Sequence, residues 1–192
     1  KFGIFVYYFC LGTGYIIVEV GLISKFTVAL GNPAISASVL ITGMLFFTGL
    51  GSLFTSRFLD QCRTLMPKIF IAIAALLALG AMFFDPILQA IGSWPYALRI
   101  VACLGLVAVP AFLMGFPFAT GMAMLSKLGK ERFFIWAWGI NGCFSVVGAV
   151  AVPIVSVLFG HSVLIMASAA IYLVAWPAFF YLLKPIPGAK PA

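Results

Sequence analysis

Residues 100–126 read IVACLGLVAVPAFLMGFPFATGMAMLS, an uncharged run bounded by Arg99 and Lys127. A helix needs about 20 predominantly apolar residues to cross the hydrocarbon core of a bilayer, and this run is long enough. Because lipid offers the backbone no hydrogen-bond partners, such a run has to be helical. The stretch therefore predicts a transmembrane helix.

The composition of the whole chain agrees with this prediction. Apolar residues make up 65% of the 192 residues and charged residues only 8%, whereas a soluble domain carries about 25% charged residues. The net charge of +7 does not indicate nucleic-acid binding, because the basic residues lie singly or in small groups between apolar runs. We predict an integral membrane protein whose surroundings are the lipid bilayer.

Six apolar runs are long enough to span a bilayer or nearly so, and they predict an all-α membrane protein with six transmembrane helices in one polytopic domain, residues 1–192. Asn32 and Pro33 precede the second run and suit a helix N-terminus. A short interfacial helix is expected at about residues 86–92. Six helices would fit a major-facilitator-like half made of two inverted three-helix repeats, although we find no residue-level similarity between the halves. The predicted helices cover residues 3–24, 34–56, 68–84, 97–125, 133–159 and 162–183.

The distribution of Lys and Arg predicts the orientation. If six helices cross the membrane, only Lys25 and Arg99 fall on one side, and the other nine of the eleven basic residues fall on the opposite side. Basic residues concentrate in cytoplasmic loops, so both termini are predicted to be cytoplasmic. The nine residues are Lys1, Arg57, Arg63, Lys68, Lys127, Lys130, Arg132, Lys184 and Lys190.

Glu19 is the main candidate functional residue. It precedes Lys25 by about 9 Å along a helix, which places it inside the hydrocarbon region, where an acidic side chain is costly and is by default a functional candidate. It shares a helical face with Tyr8, Gly12 and Tyr15. Two interpretations stay open: a proton or cation site, or a protonated or hydrogen-bonded Glu that only supports packing. In either case we expect Glu19 to face the bundle interior and to contact the fourth or fifth helix.

Asn141 and Ser145 form a second polar stripe, on the fifth predicted helix, and are candidate substrate-site residues together with Glu19 and Tyr15. A packing seam between helices would explain the same stripe. In the fourth helix, Pro110 and Pro117 each remove one backbone hydrogen bond and are candidate helix breaks. Transporters use broken helices to build ion or substrate sites, but a simple bend is the commoner outcome.

The remaining polar residues suggest no catalytic chemistry. Arg57, Asp60 and Arg63 lie in a predicted cytoplasmic loop, where Asp60 and Arg63 would pair if the loop were helical. The four cysteines are scattered singly and form no CxxC or Cys/His cluster, so we predict no metal site, no cofactor and no catalytic residues.

Several short stretches, in the same order, resemble the membrane portion of bacterial spermidine-synthase-like membrane proteins. That family joins major-facilitator-like helices to an aminopropyltransferase-like domain, so the resemblance implies a location in the bacterial cytoplasmic (inner) membrane and a soluble domain of that kind as a partner. The family often carries His at the position of Asn32. The stretches are GYIIVE at 14–19, LGNP at 30–33, GLGS at 49–52, GFPF at 115–118 and WAWGING at 136–142.

Two functions remain in competition at this point. The first is a transporter-like module that handles a small cation or amine through Glu19. The second is a non-catalytic membrane anchor or accessory subunit that packs against other membrane subunits. A cavity lined by Glu19, Tyr15 and Asn141 would favour the first function, and a filled core would favour the second.

Overall fold

The computed structural model describes residues 2–183, and within that range it contains six long α-helices and no strand. Short 3-10 helices, Leu59–Gln61 and Glu131–Phe133, lie in two of the connections. The predicted all-α class is therefore confirmed. The six helices are α1 (Phe2–Leu30), α2 (Pro33–Phe58), α3 (Cys62–Ile91), α4 (Tyr96–Lys127), α5 (Phe134–Phe159) and α6 (His161–Leu182).

Five helical stretches of the described chain are long and apolar enough to cross a membrane. The second of them, Pro33–Ile91, contains both α2 and α3 joined through the 3-10 helix. A multi-pass helical membrane protein is thus the architecture that the structure supports. The charges of Lys1, Lys184 and Lys190, which contributed to the predicted orientation, lie outside the described residues.

Contacts between helices show that successive helices alternate in direction. Gly43 faces Leu104 and Gly51 faces Phe112, so α2 and α4 run parallel. Gly3 contacts Tyr181 and Gly14 contacts Tyr172, so α1 and α6 run antiparallel.

Three further pairs complete the arrangement. Arg99 near the start of α4 reaches the Ala29 carbonyl near the end of α1, and Tyr7 near the start of α1 reaches Pro117, so α4 is antiparallel to α1. The side chain of Asn141 reaches Tyr8, and Gly148 lies against Ile16, so α5 is parallel to α1. Tyr7 contacts Phe70 near the start of α3, and Lys25 contacts Asp85 near its end, so α3 is also parallel to α1. The start of α1 and the end of α6 therefore lie at the same end of the bundle.

The structure corrects two of the predicted helix boundaries. The first helix does not stop at residue 24 but continues to Leu30 with Lys25 buried inside it. The Lys25 ammonium forms an ion pair with Asp85 of α3 and donates a hydrogen bond to the Ser162 hydroxyl. Because the charge has these partners, it does not end the helix.

The expected interfacial helix at residues 86–92 is not a separate element. Helix α3 continues through Pro67 and Pro86 to Ile91, so the prediction of a break after residue 84 was wrong. Pro67 is the sixth residue of α3 and lies beyond its first turn, so it removes one intrahelical hydrogen bond. Pro86 removes one hydrogen bond, but lipid strongly favours continued helix on either side of it.

The connection between α1 and α2 confirms the predicted cap. Gly31 has a positive φ of 70°, which a glycine adopts without strain and which lets the chain leave α1. The Asn32 side chain then accepts hydrogen bonds from the backbone N–H groups of Ala34 and Ile35. Asn32 therefore caps α2, with Pro33 at its first position.

Glycines allow two pairs of parallel helices to come very close. A Cβ atom at Gly12 of α1 would overlap the carbonyl oxygen of Asn141 in α5. In the same way, a Cβ atom at Gly115 of α4 would overlap the carbonyl oxygen of Thr48 in α2. Small residues are the usual means of close helix packing in membranes, and here they bring backbone against backbone at two crossings.

Replacing Gly12 by Ala is expected to lower the free energy of unfolding by about 1–3 kcal/mol, because the added methyl group has to push α1 away from the α5 backbone. Thermal unfolding of the purified protein in detergent would measure the change. Gly139 of α5 provides the control, because nothing lies within 4 Å of a Cβ atom placed there. Gly139→Ala should be neutral or stabilising, and equal losses in both variants would contradict the tight crossing.

Candidate functional site

A partly open cavity of about 410 Å³ lies where the two glycine crossings meet. Ligand pockets typically have about 300–1,000 Å³, so this one suits a small molecule. Leu45 and Gly49 line the cavity and are exposed, so it opens on the side of α2. The lining consists of Leu11, Tyr15, Leu45, Thr48, Gly49, Ser52, Met114, Gly115, Phe118, Ala119, Asn141, Ser145 and Tyr172.

Three of the residues predicted from sequence meet in this cavity: Tyr15, Asn141 and Ser145. Sequence reasoning missed Thr48 and Ser52 of α2, which add two hydroxyl groups to the lining. The packing-seam interpretation also holds in part, because Ser145 Oγ lies 3.2 Å from the Gly12 carbonyl oxygen. The same stripe therefore packs α5 on α1 and lines the cavity.

The cavity lining repeats two short sequence patterns, one from each half of the chain. Helices α1 and α4 both carry an apolar residue, a glycine and, three residues later, an aromatic residue: Leu11, Gly12 and Tyr15 in α1, and Met114, Gly115 and Phe118 in α4. Helices α2 and α5 both carry a polar residue, a glycine and, three residues later, a serine: Thr48, Gly49 and Ser52, and Asn141, Gly142 and Ser145.

The contacts of these patterns match as well. Gly12 lies against the carbonyl of Asn141, and Gly115 lies against the carbonyl of Thr48. The Tyr7–Pro117 and Arg99–Ala29 hydrogen bonds show that α1 and α4 run in opposite directions, so the two matching crossings are inverted relative to each other. The sequence analysis found no residue-level similarity between the halves, and the match seen here is confined to the two crossings.

The serine and threonine hydroxyls of the cavity, three in all, use their hydrogens within the protein. Thr48 donates to the Met44 carbonyl at 2.7 Å, Ser52 to the Gly49 carbonyl at 2.8 Å, and Ser145 to the Asn141 carbonyl at 2.9 Å. Hydroxyl groups of this kind keep their oxygen lone pairs available. The polar part of the lining therefore presents mainly hydrogen-bond acceptors.

Tyr15 is the exception among the polar lining residues. Its hydroxyl oxygen is buried and has no partner with hydrogen-bond geometry among the described residues, although it approaches Thr48. A buried hydroxyl without a partner costs free energy. A tyrosine hydroxyl both donates and accepts hydrogen bonds, so a ligand in the cavity that carries an N–H or O–H group would give this oxygen a partner.

Glu19 lies outside the cavity lining. It is partly buried on α1, one helical turn, about 6 Å, beyond Tyr15. No hydrogen bond or ion pair joins its carboxyl group to another described side chain. Glu19 therefore lies next to the cavity and not in it. Of the two residues, Tyr15 is the one that would contact a bound ligand.

The two prolines of the fourth helix do not break it. Helix α4 runs without interruption from Tyr96 to Lys127 through Pro110 and Pro117. The Tyr7 hydroxyl donates a 2.6 Å hydrogen bond to the Pro117 carbonyl oxygen, which ties α1 to α4 one turn away from the cavity. The prolines therefore do not create a broken-helix site of the kind considered from sequence.

The loop charges pair differently from the sequence expectation. The Asp60 carboxylate lies 2.8 Å from the Lys127 ammonium at the end of α4. Within the part of the chain that the structure describes, it forms no ion pair with Arg63. The hydrogen bond from Lys127 and its positive charge lower the pKa of the Asp60 carboxyl. Arg57 lies over the ring of Phe54. These contacts organise one end of the bundle, and none of their residues lines the cavity.

Comparison with known proteins gives no match: no family model, no curated protein and no solved structure is similar to this chain. The spermidine-synthase-like resemblance therefore stays an expectation from short sequence stretches. Arguments about function rest on the cavity and its lining.

Replacing Tyr15 by Phe removes the unpartnered hydroxyl. It also gives α1 the same aromatic residue that α4 has at the corresponding position, Phe118. We expect the variant to be as stable as the original protein or slightly more stable, because no hydrogen bond is lost. Thermal unfolding without added ligand would measure this. Tyr7→Phe is the matched control, since the Tyr7 hydroxyl is bonded to Pro117; it should lower the stability by about 1 kcal/mol. A clear loss for Tyr15→Phe would mean that its hydroxyl has a structural partner.

Proposed function

We propose that this chain is a transporter-like membrane module that binds a small solute in the cavity between α1, α2, α4 and α5. The observation that carries the proposal is a cavity with a partly polar lining, built at two glycine crossings with the same short residue patterns. We infer that these crossings belong to an inverted repeat. Inverted repeats with a binding site near the middle of the membrane are a common design of secondary transporters. Structural anchors have no need for such a site.

The proposal includes six transmembrane spans with both termini in the cytoplasm of a bacterial cell, in its inner membrane. Two observations support it: the alternating direction of the six helices, and the distribution of Lys and Arg, with Lys25 and Arg99 near one end of the bundle and most of the others near the opposite end. The cavity would then lie somewhat nearer to the cytoplasmic end, because Leu11 and Tyr15 are closer to the start of α1 than to its end.

Single cysteines test the proposed orientation, in a protein whose exposed Cys143 is replaced by Ala. Ser93→Cys, in the turn between α3 and α4, should react with an impermeant maleimide added to intact cells. Gln61→Cys, in the 3-10 helix after α2, should react only after permeabilisation. The reverse pattern would overturn the orientation, and labelling of both from outside would overturn the number of spans.

A cavity-filling substitution tests the function itself. Ala119 lines the cavity, whereas Ala123, one turn further along α4, does not. In reconstituted vesicles assayed with labelled methylamine, glycerol and acetate, Ala119→Phe should abolish any uptake that the original protein shows. Ala123→Phe should retain it. If the original protein moves none of the solutes, or if both variants retain uptake, the transporter-like function is wrong.

The same assay addresses Glu19, which the sequence singled out for a cation or amine. The proposed role of its carboxyl group next to the cavity is to supply the charge that couples uptake to protons or cations. Glu19→Gln keeps the shape of the side chain and removes the titrating group. It should insert normally but lose the pH dependence of uptake, while Glu131→Gln in the loop before α5 should retain it. An unchanged pH dependence in Glu19→Gln would remove this role.

A second candidate function is an accessory subunit that binds other membrane subunits or an aminopropyltransferase-like domain. The exposure of α5 favours it: only 11% of the α5 span is buried inside the protein, against 61% of the α1 span. Trp136 and Trp138 are among its large exposed side chains. A photoreactive residue in place of Trp138 should then form adducts with another protein in native membranes, and adducts with lipid alone would argue against this role.

A further inference from the structure

We infer that the cavity recognises a primary ammonium group by accepting hydrogen bonds from its N–H hydrogens, rather than by pairing it with Glu19. This inference rests on the proposed function, because it names the class of solute that the same cavity binds. Four oxygen atoms of the lining carry it: Thr48 Oγ1, Ser52 Oγ, Ser145 Oγ and Asn141 Oδ1.

The three hydroxyl oxygens are acceptors because of the helices that hold them. Each hydroxyl hydrogen points to a backbone carbonyl of its own helix, at 2.7–2.9 Å. In surroundings of low polarity such a bond is not easily given up. A ligand in the cavity therefore meets the lone pairs of Thr48, Ser52 and Ser145, and a ligand group that only accepts hydrogen bonds gains nothing from them.

The fourth acceptor follows from the orientation of the Asn141 amide. Asn141 Nδ2 lies 3.4 Å from the Tyr8 carbonyl oxygen. A carbonyl can only accept, so the NH₂ end of the amide has to face Tyr8, and Oδ1 is left for another donor. Asn141 belongs to the repeated polar-glycine-serine pattern, as does Thr48, so acceptors come from α2 and from α5.

The charges and rings of the lining favour the same ligand. No Lys, Arg, His, Asp or Glu is among the residues that line the cavity, so a carboxylate or phosphate would find no positive partner. Tyr15, Phe118 and Tyr172 contribute aromatic rings, and ring faces attract cations. Glu19 lies one turn away and adds negative potential without contacting the ligand.

The apolar residues of the lining indicate the chemistry of the remaining part of the ligand. Leu11, Leu45, Met114 and Ala119 surround the remainder of the cavity. A short alkyl or aryl chain attached to the ammonium group would bury its apolar surface there. The expected class is therefore a small primary amine with one apolar substituent.

Binding of matched probes to the full chain in lipid nanodiscs, corrected for empty nanodiscs, tests the inference. The probes are n-butylammonium, its N,N,N-trimethyl analogue with the same charge and no N–H, n-butanol and butanoate. We expect n-butylammonium to bind roughly tenfold or more tightly than the trimethyl analogue, because a site built to bond N–H groups is left unsatisfied without them. Butanoate should not bind.

Variants test whether the acceptor oxygens cause the preference for n-butylammonium. Thr48→Val combined with Ser145→Ala removes one acceptor from each half and should reduce the preference for n-butylammonium over its trimethyl analogue to near unity. The control is Ser38→Ala, since Ser38 donates to the Ala34 carbonyl in the same way but lies outside the cavity; it should leave the preference unchanged. Glu19→Gln should also retain it, whatever its effect on pH-dependent uptake.

The outcomes separate the inference from the proposed function. If both cations bind equally, or if the double variant keeps the preference, recognition through N–H groups is wrong, while the cavity stays a solute site. If butanol or butanoate binds best, the class of ligand is wrong and the cavity again stays a solute site. If no probe binds and Ala119→Phe leaves all uptake unchanged, the inference and the proposed function fail together.

Discussion

The structure depends on the close approach of parallel helices at three glycines in two crossings. At Gly12, Gly51 and Gly115 the backbone of one helix lies directly against a carbonyl of another, which only a residue without a side chain allows. Helix association in lipid has little hydrophobic driving force, so close packing of this kind carries much of the stability. The two crossings also hold Tyr15, Thr48, Asn141 and Ser145 at fixed positions around one cavity, so the fold and the candidate site have the same origin.

An ion pair that is buried on one side plays the corresponding role at the other end of α1. Lys25 is 5% exposed and joins Asp85 of α3 and Ser162 of α6, which fixes three helices relative to one another. The Lys25 side chain is buried whereas Asp85 is about half exposed, so an arrangement that separates them is costly mainly because the buried ammonium would lose its partner. The pair therefore specifies which faces of α1, α3 and α6 meet, and the glycines specify how closely α1 meets α5.

The sequence predicted the class of fold well, because apolar runs and the cost of unpaired backbone groups in lipid leave few alternatives. It placed the Asn32 cap correctly and selected three of the cavity residues. It failed where a distant residue decides the outcome: Asp85 keeps Lys25 inside α1, and α3 passes through Pro86. The similarity between the two crossings was not found from the sequence for a similar reason. It consists of two short patterns with three defined residues each. Such short patterns are recognisable only when the structure shows Gly12 and Gly115 packed against carbonyl groups of neighbouring helices.

The interlocking of the two halves has a consequence for how the chain assembles during synthesis. The principal partners of α1 are α5 and α6, and the principal partner of α2 is α4. Helix α1 is therefore synthesised well before α5 and α6, and Gly12 and Gly14 acquire their contacts only when those two helices are in place. Contacts between residues so far apart in sequence form late and slowly. A nascent chain that ends before α5 would carry an unpaired face on α1, so neither three-helix half is a complete folding unit.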